Sequence, residues 1–166
     1  PTYRATLNLN GGGSLARYYV SVSYVDEGGM YKVDEGLKDY NTNANYRRWN
    51  YRLNVDMDIT KSTLLKVGVA GSLDKKNEPG MAGNIWASAM RNNPISVPVM
   101  YSNGYVPAYG SENDQLNPWV AATQTGYQET WNNKLQANAT LEQSLNFITK
   151  GLKFIGRYGF DTNNYQ

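Results

Sequence analysis

The most constraining feature of this sequence is an unbroken alternation of apolar and polar side chains from Arg48 to Ile59. The odd positions carry Trp49, Tyr51, Leu53, Val55, Met57 and Ile59. The even positions carry Arg48, Asn50, Arg52, Asn54, Asp56 and Asp58. Because successive side chains of an extended strand point to opposite faces, the alternation predicts a long strand with one apolar and one polar face.

Five further segments repeat this period of two, so the sequence predicts an all-β fold of six strands. Their expected positions are about 2–10, 15–26, 45–59, 63–74, 127–143 and 150–162. The connections alternate between short turns, at Asn10–Ser14, Thr60–Thr63 and Ser144–Gly151, and two long loops at about 27–44 and 74–127. This order places all short connections at one end of an antiparallel, up-and-down sheet and all long ones at the other.

Two local signals refine the connections. Asn10-Gly11 is a dipeptide that favours positive φ angles, which predicts a tight hairpin at this point. In the second long loop, the stretch from Met81 to Asn92 predicts a short helix that ends before Asn93-Pro94, because proline cannot continue a helix.

Composition excludes several kinds of chemistry. The chain has no cysteine and no histidine, so it offers no disulfide, no thiol nucleophile and no imidazole base. A formal charge of +2 is too small to indicate a nucleic-acid partner. Asp56 and Asp58 are a candidate carboxylate pair, but a solvated strand face lacks the burial that separates the pKa values of a catalytic pair. We therefore expect no enzymatic activity, cofactor or metal.

A soluble β-sandwich, such as a carbohydrate-binding module, and an outer-membrane β-barrel both fit the alternation. The strands exceed the usual length of globular strands, and the asymmetry of the loops is typical of outer-membrane barrels. Tilted by about 40°, the segment from Trp49 to Ile59 spans roughly 25 Å, the height of the apolar band on such barrels. Aromatic residues gather near the long-loop ends of the apolar face, as expected at a membrane interface, at Tyr3, Tyr24, Trp49, Tyr51, Trp131, Tyr158 and Phe160.

Six strands cannot close a membrane barrel, whose smallest examples have eight. Either two more strands lie in the long loop at about 74–127, which gives a small eight-stranded barrel, or the chain is one part of a larger barrel. The prolines of that loop and its predicted helix favour the larger barrel. The start at Pro1, without an initiator methionine, leads us to expect a piece of a longer protein.

Several segments resemble a known family. The stretch RYYVSVSYVDEGGMYK at 17–32 and the stretch NYRRWNYRLNVDMDITKSTLLKVGVAGSLDKKNEPG at 45–80 are similar to the early barrel of the SusC/RagA family of TonB-dependent outer-membrane transporters. The segment RNNPISVP at 91–98, the turn at 101–104 and the segments at 117–118 and 125–127 resemble the family's long extracellular loop and its return strand.

The resemblance implies a Gram-negative outer-membrane barrel of 22 strands, with an N-terminal plug, that imports glycans or oligopeptides. It further implies a SusD-like surface lipoprotein as a lid and energy from the TonB complex. Plug and TonB contact would belong to other parts of the parent molecule, so this chain would be a barrel-wall segment in contact with the lipid bilayer.

Two groups of residues are candidate sites. The polar row Arg48, Asn50, Arg52, Asn54, Asp56 and Asp58 is expected to line the lumen, either along a substrate path or as wall that pairs with the plug and neighbouring strands. The long loop offers flat rings and amides that suit sugar rings or a peptide backbone: Tyr101, Asn103, Tyr105, Tyr109, Asn117 and Trp119. These loop rings are equally suited to packing within the loop or against a lid protein.

Overall fold

The computed structural model describes residues 1–36, 39–93, 95, 97–107 and 116–166. It contains six strands and two helices. In chain order these are β1 (Thr2–Gly12), β2 (Ala16–Gly28), β3 (Asn45–Thr60), β4 (Thr63–Pro79), α1 (Ala82–Arg91), α2 (Pro118–Thr123), β5 (Tyr127–Ser144) and β6 (Lys153–Tyr165). None of the helices in these ranges is long and apolar enough to cross a membrane.

All six strands belong to one antiparallel sheet, in which each strand pairs with its neighbour in sequence. The sheet is open, with β1 and β6 at its two edges. The register of the last pair runs from Asn132 opposite Tyr165 to Ser144 opposite Lys153. The predicted all-β, up-and-down arrangement of six strands is therefore confirmed.

The two long connections differ in content. The predicted helix of the second connection is present as α1, one residue shorter at each end than the sequence indicated. The same connection also holds a second helix, α2, which was not predicted from the sequence. Since the described part of this connection contains helices and turns but no strand, it supplies no additional strands for an eight-stranded barrel.

Strand β4 continues to Pro79, beyond its predicted end near residue 74. The alternation of apolar side chains stops where the charged residues Asp74 to Lys76 begin, but backbone pairing does not require apolar side chains. The side chain of Asn77, close to the end of the strand, donates hydrogen bonds to the backbone oxygens of Asn41 and Asn43, at 2.9 and 3.0 Å. These bonds tie the end of β4 to the first long connection.

The predicted conformation of the first turn is wrong. Gly11 does not have a positive φ angle and still belongs to β1, while the turn follows it and is closed by a hydrogen bond from the Gly13 amide to the Ala16 oxygen. A β-carbon on Gly11 would lie 2.7 Å from the hydroxyl of Tyr18. The ring of Tyr18 on the neighbouring strand thus lies directly over Gly11.

The chain divides into two compact units. The sheet unit consists of Thr2–Asp26, Arg47–Lys75 and Trp131–Gln166, and the loop unit consists of Pro1, Glu27–Tyr46 and Lys76–Thr130. The buried apolar core of the loop unit is formed by Ile85 of α1 with Ala121 and Ala122 of α2, and Tyr31 and Leu116 pack against it. Thus the described hydrophobic core is built by the long connections and not by the sheet.

Candidate functional site

The apolar face of the sheet unit is largely exposed. Trp49 and Leu53 of β3 keep 47% and 39% of their surface accessible. Other large exposed apolar side chains of this face are Tyr3, Leu7, Leu9, Tyr18, Ile59, Leu73, Trp131, Leu141, Phe154, Tyr158 and Phe160. All buried apolar residues of the described chain, namely Ile85, Val97, Ala121 and Ala122, belong to the loop unit. The described residues therefore form no second sheet over this face, as a β-sandwich requires.

The seven aromatic residues predicted at a membrane interface belong to the apolar register of their strands, and Tyr3 is among the exposed side chains of this face. The rings of Tyr24 and Trp49 pack with their centroids 4.4 Å apart. Tyr51 lies two positions along the strand from Trp49, so it shares the face of Trp49. The ammonium group of Lys75 lies over the ring of Trp131, 4.5 Å from the ring centre.

The positions of Tyr158 and Phe160 follow from the pairing of β5 with β6. Tyr158 is opposite Ala139 and Phe160 is opposite Ala137, and both alanines belong to the same alternate register as Trp131. Paired residues of antiparallel strands share a face. Tyr158 and Phe160 therefore share the face of Trp131, and the location of these rings at a membrane interface stays a prediction.

Polar groups accompany the rings at one end of the apolar face. The hydroxyl of Tyr24 donates to the Asp26 carboxylate at 3.0 Å, and the same carboxylate lies 3.3 Å from the guanidinium of Arg47. The hydroxyl of Tyr24 is thus bound to a charged partner, while the rings of Tyr24 and Trp49 present apolar surface.

The opposite face of the sheet is polar, and part of it is internally paired. Arg48 Nε donates to Asn50 Oδ1 at 2.8 Å and also lies 3.3 Å from the carboxylate of Asp74. Asn50 donates in turn to the Ser23 hydroxyl at 3.1 Å. Nearer the short turns, Asp58 lies 3.6 Å from Arg17. Arg48, Asn50 and Asp58 of the predicted polar row are therefore bound to neighbouring strands.

The other members of this row have no such partners. Within the described ranges, Arg52, Asn54 and Asp56 form neither a side-chain hydrogen bond nor an ion pair. Since they lie on the same strand as Arg48 and Asn50, the difference depends on which side chains the adjacent strands supply. The polar row is thus divided into a paired and an unpaired group.

A trough of about 650 Å³ opens on this polar face. The small side chains of Ala70 and Ser72, on β4, lie at its middle, and longer polar side chains from β3, β5 and β6 lie on either side. The lining residues are Ser21, Arg48, Asn50, Tyr51, Arg52, Ala70, Gly71, Ser72, Lys134, Gln136, Asp161, Thr162 and Asn163.

The charges of the trough are unbalanced. Arg48 is matched by Asp74, whereas Arg52, Lys134 and Asp161 form no ion pair within the described part of the chain. Lys134 is opposite Asn163 and Gln136 is opposite Asp161, so Lys134 and Asp161 are diagonal neighbours that nevertheless remain apart. Two cations and one carboxylate are left, which gives the trough an excess of one positive charge. The described residues contain no group of three or more acidic side chains that could hold a metal ion.

The loop candidates are divided between two places. Asn117 is 1% exposed and acts as the N-cap of α2, because its side-chain oxygen accepts a hydrogen bond from the Trp119 amide at 3.0 Å. Its amide group also donates to the Pro98 and Val99 oxygens, at 3.4 Å each. The side chain of Asn117 is thus occupied in building the loop. Trp119 lines a second, mostly apolar cavity of about 390 Å³ together with Val97, Pro98 and Val99.

Tyr101, Asn103 and Tyr105 lie together in an exposed turn. The Tyr101 amide donates to the Tyr105 oxygen at 2.8 Å, and Asn103 Oδ1 accepts from the Tyr105 amide at 3.1 Å. Gly104 has a φ angle of 83°, which favours glycine and fixes the reversal of the chain. Tyr101 and Tyr105 are 48% and 73% exposed. Tyr109 lies outside the described residues.

Two features of these surfaces are absent from the predictions made on the sequence. The N-terminus of α2 has a recognisable signal, Asn117 followed by Pro118, which is a cap residue followed by proline at the first helical position. The trough depends on residues from β4, β5 and β6, such as Ala70, Lys134 and Asp161, that the alternation assigns only to a polar register. Their convergence requires the register of the strands.

No protein-family model matches the chain, and no curated protein matches it either.

Proposed function

We propose that this chain is a wall segment of a TonB-dependent outer-membrane importer of the SusC/RagA type, which takes up glycans or oligopeptides. The observation that carries the proposal is the exposed apolar face of a sheet whose opposite face is polar and bears the trough. This combination suits a wall between hydrocarbon and a water-filled lumen.

Free-energy considerations support this environment. Large apolar side chains in water are unfavourable by roughly 25 cal/mol for each Å² that could be buried. The loop unit buries Ile85, Ala121 and Ala122 in a core of its own, so the sequence is able to form one where its solvent is water. An exposed row that includes Leu7, Trp49 and Tyr158 is unfavourable in water but costs nothing against lipid.

The two open edges of the sheet favour a larger barrel as the parent structure. β1 and β6 present unpaired backbone groups, and each such group costs several kcal/mol in hydrocarbon. Further strands on both sides would remove this cost. We propose a barrel of 22 strands with an N-terminal plug, in which the plug and the contact with the TonB complex belong to other parts of the parent protein.

The loop unit is proposed to face the cell exterior and to contact ligand and a SusD-like lipoprotein. Trp86 and Met90 are one helical turn apart on α1 and are 62% and 85% exposed. Tyr101 and Tyr105 add two exposed rings in the turn that follows. Exposed apolar patches of this kind commonly mark contacts with other proteins.

Nitroxide labels on β3 of the parent protein in lipid bilayers test the proposal. Labels replace Leu53 and Met57 on one face, and Asn54 and Asp56 on the other. We expect oxygen, which concentrates in hydrocarbon, to collide preferentially with the first pair. A water-soluble nickel chelate should collide preferentially with the second pair. A first pair shielded from both reagents would mean that the apolar face packs inside a protein, and the proposal would fail.

A further inference from the structure

We propose that the trough on the polar face binds a carboxylate of an imported ligand, held between Arg52 and Lys134. The inference rests on the proposed function, because the trough would then line the transport path. The proposed ligand carries a single carboxylate among neutral polar groups. Acidic oligopeptides and acidic oligosaccharides both contain such a group.

The pairing pattern of the polar face carries the inference. Three ion pairs on this face neutralise charges within the chain: Arg48 with Asp74, Arg17 with Asp58, and Lys66 with Glu142 at 2.6 Å. Of the three cations that line the trough, Arg48 is paired with Asp74, whereas Arg52 and Lys134 have no ion-pair partner in the described residues.

Lys134 has no ion-pair partner although an acidic residue, Asp161, lies nearby on the paired strand. Asp161 is opposite Gln136, and Lys134 is two residues from Gln136 on the same strand and the same face. Side chains in such diagonal positions are within reach of each other when they are long. The structure nevertheless leaves Lys134 and Asp161 apart, so the ammonium group remains available to a ligand.

The shape of the trough suits a small polar ligand. Its volume of about 650 Å³ lies within the range of ligand pockets, roughly 300–1,000 Å³. Ala70 and Ser72 keep its middle low, while the amides of Gln136 and Asn163 offer donors and acceptors for hydroxyl or peptide groups. Asp161 repels a second carboxylate placed on the side of β6. The excess of one positive charge therefore selects a ligand region with one negative charge.

Calorimetric titration of the purified, full-length parent protein tests the inference. The acidic probes are trigalacturonate and Ala-Glu-Ala with blocked ends, and the neutral probes are maltotriose and blocked Ala-Gln-Ala. We expect an acidic probe to bind better than its neutral counterpart. Arg52→Gln and Lys134→Gln should each weaken acidic-probe binding about tenfold, the effect of one lost charge-assisted hydrogen bond near water. Asp161→Asn should strengthen it.

Arg157→Gln is the matched control. Arg157 is an exposed cation on the polar register of β6 that does not line the trough, so its loss should leave the affinity of every probe unchanged. Binding of trigalacturonate would indicate an acidic oligosaccharide as the ligand, and binding of blocked Ala-Glu-Ala would indicate an acidic oligopeptide. Equal affinities for acidic and neutral probes would overturn the inference, as would insensitivity to Arg52→Gln and Lys134→Gln. An acidic side chain of the parent's plug bound to both cations would also overturn it.

The two proposals fail in different ways. A parent protein that resides in the outer membrane and imports neutral ligands, but whose binding of acidic probes ignores Arg52 and Lys134, would refute the carboxylate site alone. Labels at Leu53 and Met57 that never meet lipid would refute the proposed importer itself.

Discussion

The hydroxyl of Tyr51 occupies the space that a β-carbon on Gly71 would take. The backbone oxygen of Lys134 crowds the same position from the neighbouring strand. Gly71 therefore lets the ring of Tyr51 and the backbone of β5 approach β4 closely. This contact links three consecutive strands of the sheet, and all three residues border the trough.

Gly71→Ala should destabilise the sheet by about 1–3 kcal/mol, because the added methyl group overpacks a site closed by backbone. Gly159→Ala is the control, since a β-carbon at Gly159 meets no atom within 4 Å. The measurement is the temperature at which the parent protein loses its compact migration in gel electrophoresis. Equal decreases for the two variants would show that the crowding around Gly71 is not important.

Leu53→Arg should prevent or strongly reduce assembly of the parent protein in the outer membrane. Arginine on the lipid-facing side near the middle of a bilayer costs about 2–4 kcal/mol. Asn54→Arg places the same side chain on the polar face and should be tolerated. The amount of folded protein in isolated outer membranes compares the two variants. Normal assembly of Leu53→Arg would contradict the proposal that its face meets hydrocarbon.

Replacing both Tyr101 and Tyr105 by alanine should weaken ligand binding without preventing barrel assembly. Each exposed ring that stacks on a ligand contributes about 0.5–1.5 kcal/mol beyond its buried area. Trp119→Ala is expected to weaken binding as well, but through the shape of the cavity that it lines with Pro98 and Val99. Calorimetry of the parent protein measures the affinities, and unchanged values would remove these rings from the binding site.

Asn117→Ala should loosen the loop unit, because the substitution removes the cap of α2 and the bonds to Pro98 and Val99. Loss of a cap alone costs about 0.5–2 kcal/mol. Limited proteolysis of the parent protein should cleave the loop sooner. Asn103→Ala, in the exposed turn, provides the comparison and should have a smaller effect on cleavage.

Replacing both Trp86 and Met90 by alanine should reduce recovery of a surface lipoprotein with the parent protein, because the exposed face of α1 would lose its apolar contacts. Met30→Ala is the control, since Met30 is also exposed in the same unit but lies outside α1. Quantitative co-purification from membranes measures the effect. Equal recovery of the partner with both variants would exclude α1 as its docking surface.

The strands were predictable because their side chains alternate over long segments. Arg48 to Ile59 gives the two faces of β3 without any knowledge of its neighbours, and the loop lengths give the order of strands. The end of β4 was less predictable, since backbone pairing continues through Asp74 to Pro79 after the apolar pattern has stopped.

The trough was not predictable from the alternation. Lys134 and Asp161 belong to polar registers in the sequence, but only the pairing of β5 with β6 makes them diagonal neighbours. Likewise, a pattern of rings and amides cannot distinguish a buried amide from an exposed one. Asn117 is part of the loop framework, whereas Asn103 lies at the surface, because only Asn117 precedes a helix whose first amides need an acceptor.

The pairing of each strand with its sequence neighbour has a consequence for how the wall is assembled. No strand has to wait for a distant partner, so β1 to β4 are able to join in chain order through two short turns and the first long connection. The step from β4 to β5 differs, because the whole segment with α1 and α2 must first be spanned. The entropic cost of closing a loop grows with its length, so β4 and β5 are expected to be the slowest neighbours to pair. An early core around Ile85 and Ala121 would shorten that search by bringing the ends of the two strands together before they pair.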